Sequence, residues 1–438
     1  MTSDAHLLDR RPGGSGGAIR MPLLSDLVSI EAVFVLFIFA GRYKALPELQ
    51  IFPVDLTVAF MLATLGLVAL AVAAGTLRLP PQDTQTLLMG AFAGVVCTSV
   101  FWSSLEWANT DKIWRFVLLT LPTFYIALML GRDVVRRRRL LRLIIWFSIA
   151  LLAYYMVHRW VLGTTGVDAP TGRFAGNNYL EYGAHANILF IACLSVALAG
   201  ARGGAGPAVA GACLSMFLLL AIGGRGPLVF ALLAVPLAVL GLILRLHTNL
   251  LRLRRVLVLA AVLCGLGGVA YGVVLHLGEQ NEASSQMLTL QRAQLQLSHE
   301  GTYSLDVRGQ ARGYAFRQWL ERPIFGWGIG EFRVQHSLDY PHNLLLELLM
   351  EVGLAGAFLF FAVCVAGLGR CAAAARQGMD DWTVATIALL YVTELLSHLT
   401  VQGYLGDDRI FFAYLGLALC LPGGAGRPHA HPSMRAWT

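Results

Sequence analysis

The stretch Arg136-Arg137-Arg138-Arg139-Leu140-Leu141-Arg142-Leu143-Ile144-Ile145-Trp146-Phe147-Ser148-Ile149-Ala150-Leu151-Leu152-Ala153-Tyr154-Tyr155-Met156-Val157 decides the fold. A block of arginine opens onto an apolar run of the length a bilayer needs, about 20 residues. Inside hydrocarbon each backbone N–H and C=O must be satisfied by the chain itself, so such a run reads as a transmembrane helix. Arginine beside it in a short connection marks the cytoplasmic end.

The pattern recurs in both directions. Apolar runs lie near 24–41, 51–75, 86–105, 112–131, 140–162, 183–200, 206–223, 226–245, 256–277, 343–368, 381–400 and 409–424. The expected fold is all-α and polytopic, with about 12 transmembrane helices and one long outer loop containing helices. Composition agrees: 57% of the 438 residues are hydrophobic and 13% charged, about half the charged share of a soluble domain. Soluble multidomain, disordered and disulfide-scaffold classes are excluded. Further arginines at Arg245, Arg252, Arg254, Arg255, Arg370 and Arg376 fall on the same side as the Arg136 block, which puts both termini in the cytoplasm. The expected division is a cytoplasmic tail over 1–23, helices 1–9 over 24–277, an outer loop over 278–342, helices 10–12 over 343–424 and a cytoplasmic tail over 425–438. The seven cysteines lie in or beside apolar runs without CxxC spacing, so they read as packing residues rather than a disulfide framework or metal site.

The polar motifs gather on the outer face. Gly223-Gly224-Arg225-Gly226-Pro227 joins two apolar runs. Arg225 either snorkels to headgroups or offers its planar fork to a phosphate. In Asp306-Val307-Arg308-Gly309-Gln310-Ala311-Arg312 the two arginines are four apart, so they share a face of a helix reaching to about Leu320. That helix either holds a substrate or lies on the membrane, docked through Ala315, Phe316 and Trp319. Gly326-Trp327-Gly328-Ile329-Gly330 superficially matches a dinucleotide motif, but no strand precedes it and no strand–turn–helix unit contains it. It reads as a tight glycine turn.

Tyr340-Pro341-His342-Asn343 precedes an apolar helix. His342 at its mouth can accept a proton at neutral pH, or it caps the helix. Glu347 and Glu351, four apart within the apolar run, must face protein or a cavity. Glu394 and His398 share a face and read as a buried polar contact. Asp407-Asp408-Arg409 reads as an internally paired loop ahead of metal or sugar binding, and no outer loop carries a metal-binding motif. Together these residues suit a pyrophosphate-linked lipid donor: arginine to hold a leaving diphosphate and a base for an acceptor hydroxyl.

The run from Arg308 through Pro323-Ile324-Phe325-Gly326-Trp327-Gly328-Ile329-Gly330-Glu331-Phe332 resembles the signature of the O-antigen ligase and polymerase superfamily. So do His342-Asn343-Leu344-Leu345-Leu346-Glu347 and Glu351-Val352-Gly353-Leu354-Ala355-Gly356. The strict resemblance covers about 50 residues. It implies a bacterial inner-membrane glycosyltransferase with a periplasmic active site. The donor would be a glycan on undecaprenyl pyrophosphate and the acceptor lipid A–core oligosaccharide, completing lipopolysaccharide. No cofactor, metal or nucleic acid is expected, and membrane lipids are the remaining partner. By resemblance His342 is the base and Arg225 and Arg308 hold the donor pyrophosphate, with Arg312 a near alternative to Arg308 or a further donor contact; Asn343, Glu347 and either Asp407 or Asp408 are candidate supporting residues. The alternatives are an O-antigen polymerase, a protein O-oligosaccharyltransferase and, from another class, a transporter.

Overall fold

A computed structural model describes residues 21–162, 173–174, 177–199, 205–222, 224–243, 257, 268, 303–377 and 381–422. The described residues form fifteen α-helices and one minimal antiparallel pair, β1 (Arg173–Phe174) with β2 (Asn177–Asn178). In chain order the helices are α1 (Leu24–Leu27), α2 (Ile30–Tyr43), α3 (Leu56–Ala73), α4 (Thr84–Thr98), α5 (Trp107–Arg115), α6 (Leu121–Arg132), α7 (Val134–Met156), α8 (Tyr179–Ala199), α9 (Ala205–Ile222) and α10 (Arg225–Ile243). After them come α11 (Tyr303–Glu321), α12 (Glu331–Gln335), α13 (Leu344–Gln377), α14 (Trp382–Thr400) and α15 (Arg409–Leu419). A π turn, Phe116–Thr120, joins α5 to α6 into one span.

The spans begin where a short polar side chain can take the unpaired N–H groups of a first turn. Asp55, Asp83, Asp133 and Asp381 each accept from backbone N–H groups two or three positions ahead. Among the described residues, eight helices are long and apolar enough to cross a membrane. The shorter α2, α9 and α15 occupy three more of the expected twelve places. Apart from residues 257 and 268, the expected span near 256–277 lies outside the described residues, as do the outer loop before Tyr303, the N-terminal tail up to residue 20 and the C-terminal tail.

The bundle has two polar ends. The arginine block forms the opening turns of α7 rather than a connection between helices, because Asp133 caps that helix directly after α6. Arg136 and Arg139 pair with Glu31, Arg139 and Arg142 with Asp26, and Arg138 with Asp381. Arg137 donates to the carbonyls of Gly131 and Cys420, both at 3.2 Å. One basic block thereby ties together α1, α2, α6, α14 and α15. Between the ends, the core is aromatic: Phe92, Phe116, Phe360, Phe411 and Phe412 meet edge to face or tilted. Small residues let helices close up where lipid offers no driving force of its own. A Cβ on Gly416 of α15 would lie 2.7 Å from the Phe124 carbonyl of α6. The candidate site sits at the end opposite the arginine block.

Candidate functional site

The site is built on a broken helix. Gly353 interrupts α13 with φ of 65° and ψ of −169°, a conformation that favours glycine. A break inside a membrane helix frees backbone groups that must find other partners. The glycine turn after α11 supplies them. Leu354 and Ala355 donate to the carbonyls of Pro323 (2.9 Å) and Ile324 (3.0 Å), while Trp327 and Gly328 donate to those of Met350 and Glu351, both at 2.8 Å. The approach leaves no room for side chains. A Cβ on Gly326 would lie 2.6 Å from the Glu351 backbone, and one on Gly353 would lie 2.2 Å from the Ile324 oxygen. Gly326→Ala therefore costs an expected ~3 kcal/mol or more, strain and clash together. Gly94→Ala, where nothing lies within 4 Å, should be neutral or slightly stabilising. Thermal unfolding in detergent checks both, and equal midpoints would discard the docking role of the turn.

The other side of the turn is fastened to the α4–α5 connection. Ile329 donates to Ser99 Oγ at 3.1 Å and accepts from Asn109 Nδ2 at 2.7 Å. Glu331 accepts from the Ser104 N–H and from Asn109. Ser99 and Asn109 do not stand out in the sequence, because the contacts by which they fasten the turn join segments more than 200 positions apart.

Helix α11 docks through Ala311 and Ala315, fully buried against Phe332 and Met350. Phe316, expected on the docking face, is 45% exposed. The two alanines let α11 come close, and Trp319 anchors its end by donating from Nε1 to the Pro323 carbonyl at 3.2 Å. This docking sets the two arginines. Arg312 donates from Nη2 to the carbonyls of Thr400 (2.6 Å) and His342 (3.2 Å). Arg308, half-buried one turn earlier, makes no hydrogen bond or ion pair among the described residues.

His342 is half-buried with a left-handed φ of 55°, uncommon for a residue with a Cβ. Its ring lies 4.3 Å from that of Tyr340, which in turn lies 5.6 Å from Tyr404. Burial, then the positive charges of Arg308 and Arg312, push its imidazole down to about 4. The ring is therefore neutral at pH 7 and free to take a proton. Asn343 caps α13 by accepting from the Leu346 N–H at 2.9 Å, and donates to the Leu399 carbonyl at 2.5 Å. His336 is structural, stacked on Phe332 at 5.0 Å.

Beneath this turn lies a charged cluster. Lys112, buried, contacts Glu347 at 2.5 Å and Glu351 at 2.7 Å. Glu347 also accepts from the Leu405 N–H at 3.1 Å. Glu347 thus holds the α14–α15 connection to the start of α13. In that connection Asp407 pairs with Arg409 at 2.7 Å, the internal pairing expected. Asp408 pairs with His398, whose Nδ1 donates to the Glu394 carbonyl at 2.7 Å. His398 therefore has Asp408 as its close carboxylate, with the Glu394 carboxylate farther away at 3.7 Å.

Arg225 begins α10. Pro227 packs beside Gly183 of α8, and neighbouring Glu181 pairs with Arg42 at the end of α2. Arg225 therefore lies at the same end as Arg308, Arg312, His342, Asn343, Glu347, Asp407 and Asp408.

Fold and site together define a polytopic all-α membrane protein with a cationic, histidine-bearing centre at one end of its bundle. A family model described as O-antigen ligase matches residues 188–361, which is consistent with a member of the ligase and polymerase superfamily. The matched stretch holds Arg225, Arg308, Arg312, His342, Asn343, Glu347 and the broken segment of α13. It supports a ligase- or polymerase-type role in O-antigen handling, a glycosyltransferase-like enzyme and lipid-linked glycan substrates. No curated protein matches the chain.

Proposed function

We propose that this protein moves a glycan en bloc from undecaprenyl pyrophosphate to lipid A–core oligosaccharide at the periplasmic face of the bacterial inner membrane. The observation that carries the reading is the pairing of a neutral, half-buried His342 with an Arg308 left without a partner among the described residues. A diphosphate has the charge and shape for that guanidinium, and Arg225 faces the same end.

His342 takes the proton from an acceptor hydroxyl. The oxygen attacks the anomeric carbon from the side opposite the leaving group, so the centre inverts. The bond from that carbon to the phosphate oxygen breaks, and undecaprenyl pyrophosphate leaves with the electron pair. Arg308 and Arg225 neutralise the charge that develops on it. Because arginine does this work, transfer proceeds without a divalent cation or nucleotide and persists in EDTA.

Purified protein with the lipid-linked glycan and lipid A–core should give a ladder of glycosylated acceptor on a gel. Elongated lipid-linked glycan would instead make the protein a polymerase. Uptake of a small solute without lipid turnover would make it a transporter. In the same assay Arg308→Ala should raise the donor KM at least ~30-fold, the low end of what truncating a charged contact costs. Arg308→Lys should restore part of that loss. An unchanged donor KM in Arg308→Ala would remove Arg308 from the donor site.

A further inference from the structure

We propose that Arg312 is a positioning residue, which bolts the His342 turn to the C-terminal end of α14 instead of holding the donor. Four observations converge. The first is the guanidinium, whose Nη2 bridges the His342 and Thr400 carbonyls. The second is Asn343, the next residue, which reaches the adjacent carbonyl of Leu399 at 2.5 Å. The third is the backbone of His342, held at φ of 55°, which persists only where surrounding contacts over-determine it. The fourth is Gly403, with φ of 121°, where a Cβ would lie 2.7 Å from Leu344. The chain leaving α14 thus closes tightly over the start of α13, and the carbonyls that end α14 are the anchor.

The last carbonyls of a helix have no partner within it and attract cations. Arg312 answers that need at α14 and uses the same nitrogen to hold the carbonyl of His342. Arg308, one turn away on α11, has no such engagement among the described residues. The two arginines on one face therefore divide the work: Arg308 for an anion, Arg312 for geometry. A base misplaced by about 1 Å can lose ~100-fold in rate, so the bolt acts on turnover rather than on affinity.

The kinetic test rests on the transfer reading above; a second measurement does not. In the transfer assay Arg312→Ala should lower kcat by about 100-fold while the donor KM stays within about 2-fold. Arg312→Lys should recover most of the loss, since one ammonium can donate to both carbonyls. The charged groups facing the His342 ring are Arg308 and Arg312 from α11, with Tyr340 beside it on its own segment. Removing one cation moves the acid limb of kcat/KM upward in Arg312→Ala, and Arg312→Lys leaves it in place. A rise in donor KM with kcat preserved would make Arg312 a donor ligand and overturn the proposal.

Hydrogen–deuterium exchange of the 340–346 segment gives the readout independent of catalysis. Exchange should quicken in Arg312→Ala and return to the wild-type rate in Arg312→Lys. Unchanged protection in Arg312→Ala would overturn the bolt whatever the transfer result. Should Arg312→Ala fail to fold, Arg312→Gln replaces it in both measurements with the same expected outcomes. Wild-type protein that transfers nothing, yet shows the exchange difference, would defeat the transfer reading and leave the bolt standing.

Discussion

His342→Ala should transfer glycan about 10²- to 10⁴-fold more slowly than wild type, while remaining folded and keeping its affinity for the donor. The range is what a positioned base contributes. In the empty site burial and two arginines hold its imidazole down near 4, so the ring is neutral at pH 7; a bound diphosphate that offsets those charges raises it towards the range in which a base works best. The pH dependence follows with a definite sign. In the empty site the base is lost only as pH falls towards 4, so the acid limb of kcat/KM should lie far below the ordinary histidine value of about 6.5. A bound diphosphate offsets the arginine charges that depress the ring, so the limb in kcat should lie higher than in kcat/KM. Initial rates from pH 4 to 8 test both statements. Turnover by His342→Ala within a few-fold of wild type, or a kcat/KM limb at the ordinary value, would reject the assignment.

The second large effect is on stability. Lys112→Met leaves Glu347 and Glu351 facing each other without the cation they share. Stranding a buried charge costs about 3–5 kcal/mol, and both carboxylates here are almost wholly excluded from solvent. The loss should reach the site as well, because Glu347 holds the Leu405 N–H and so the connection carrying Asp408. Thermal unfolding in detergent should show a clearly lower midpoint for Lys112→Met. The triple variant Lys112→Met/Glu347→Gln/Glu351→Gln should recover much of it, since neutral groups no longer need the cation. A single variant as stable as wild type would show that the cluster is not held by its charges.

Much of the site could be read before the fold was known. The glycine turn was legible because Gly326, Gly328 and Gly330 are closely spaced after Pro323, and the turn needs their conformations locally. The helix beginning before Arg308 and the position of His342 ahead of α13 were legible for the same reason. Asp407 with Arg409 is a pairing two residues apart. Lys112 carries a signal of its own. It is one of two lysines and lies in an apolar run, and an ionisable residue there needs a partner. Glu347 and Glu351, four apart in another run, need a cation for the same reason.

While helix starts such as Val134, ahead of the arginine block, came from the structure, the sequence by itself determined that the chain is a helical membrane protein and where its apolar runs and polar motifs lie. Those properties are settled segment by segment: each run must suit lipid or water and satisfy its own backbone, so the pattern is visible in the run itself. The tertiary structure alone decided that the glycine turn fills the break at Gly353, that Lys112 lies between Glu347 and Glu351, that Asp408 meets His398, and that Arg312 grips two carbonyls whereas Arg308 has no such engagement among the described residues. Those are contacts between different segments of the chain, some more than 200 positions apart. They depend on which helix stands beside which and on its rotation about its own axis, and hydropathy, high in every one of these spans, encodes neither.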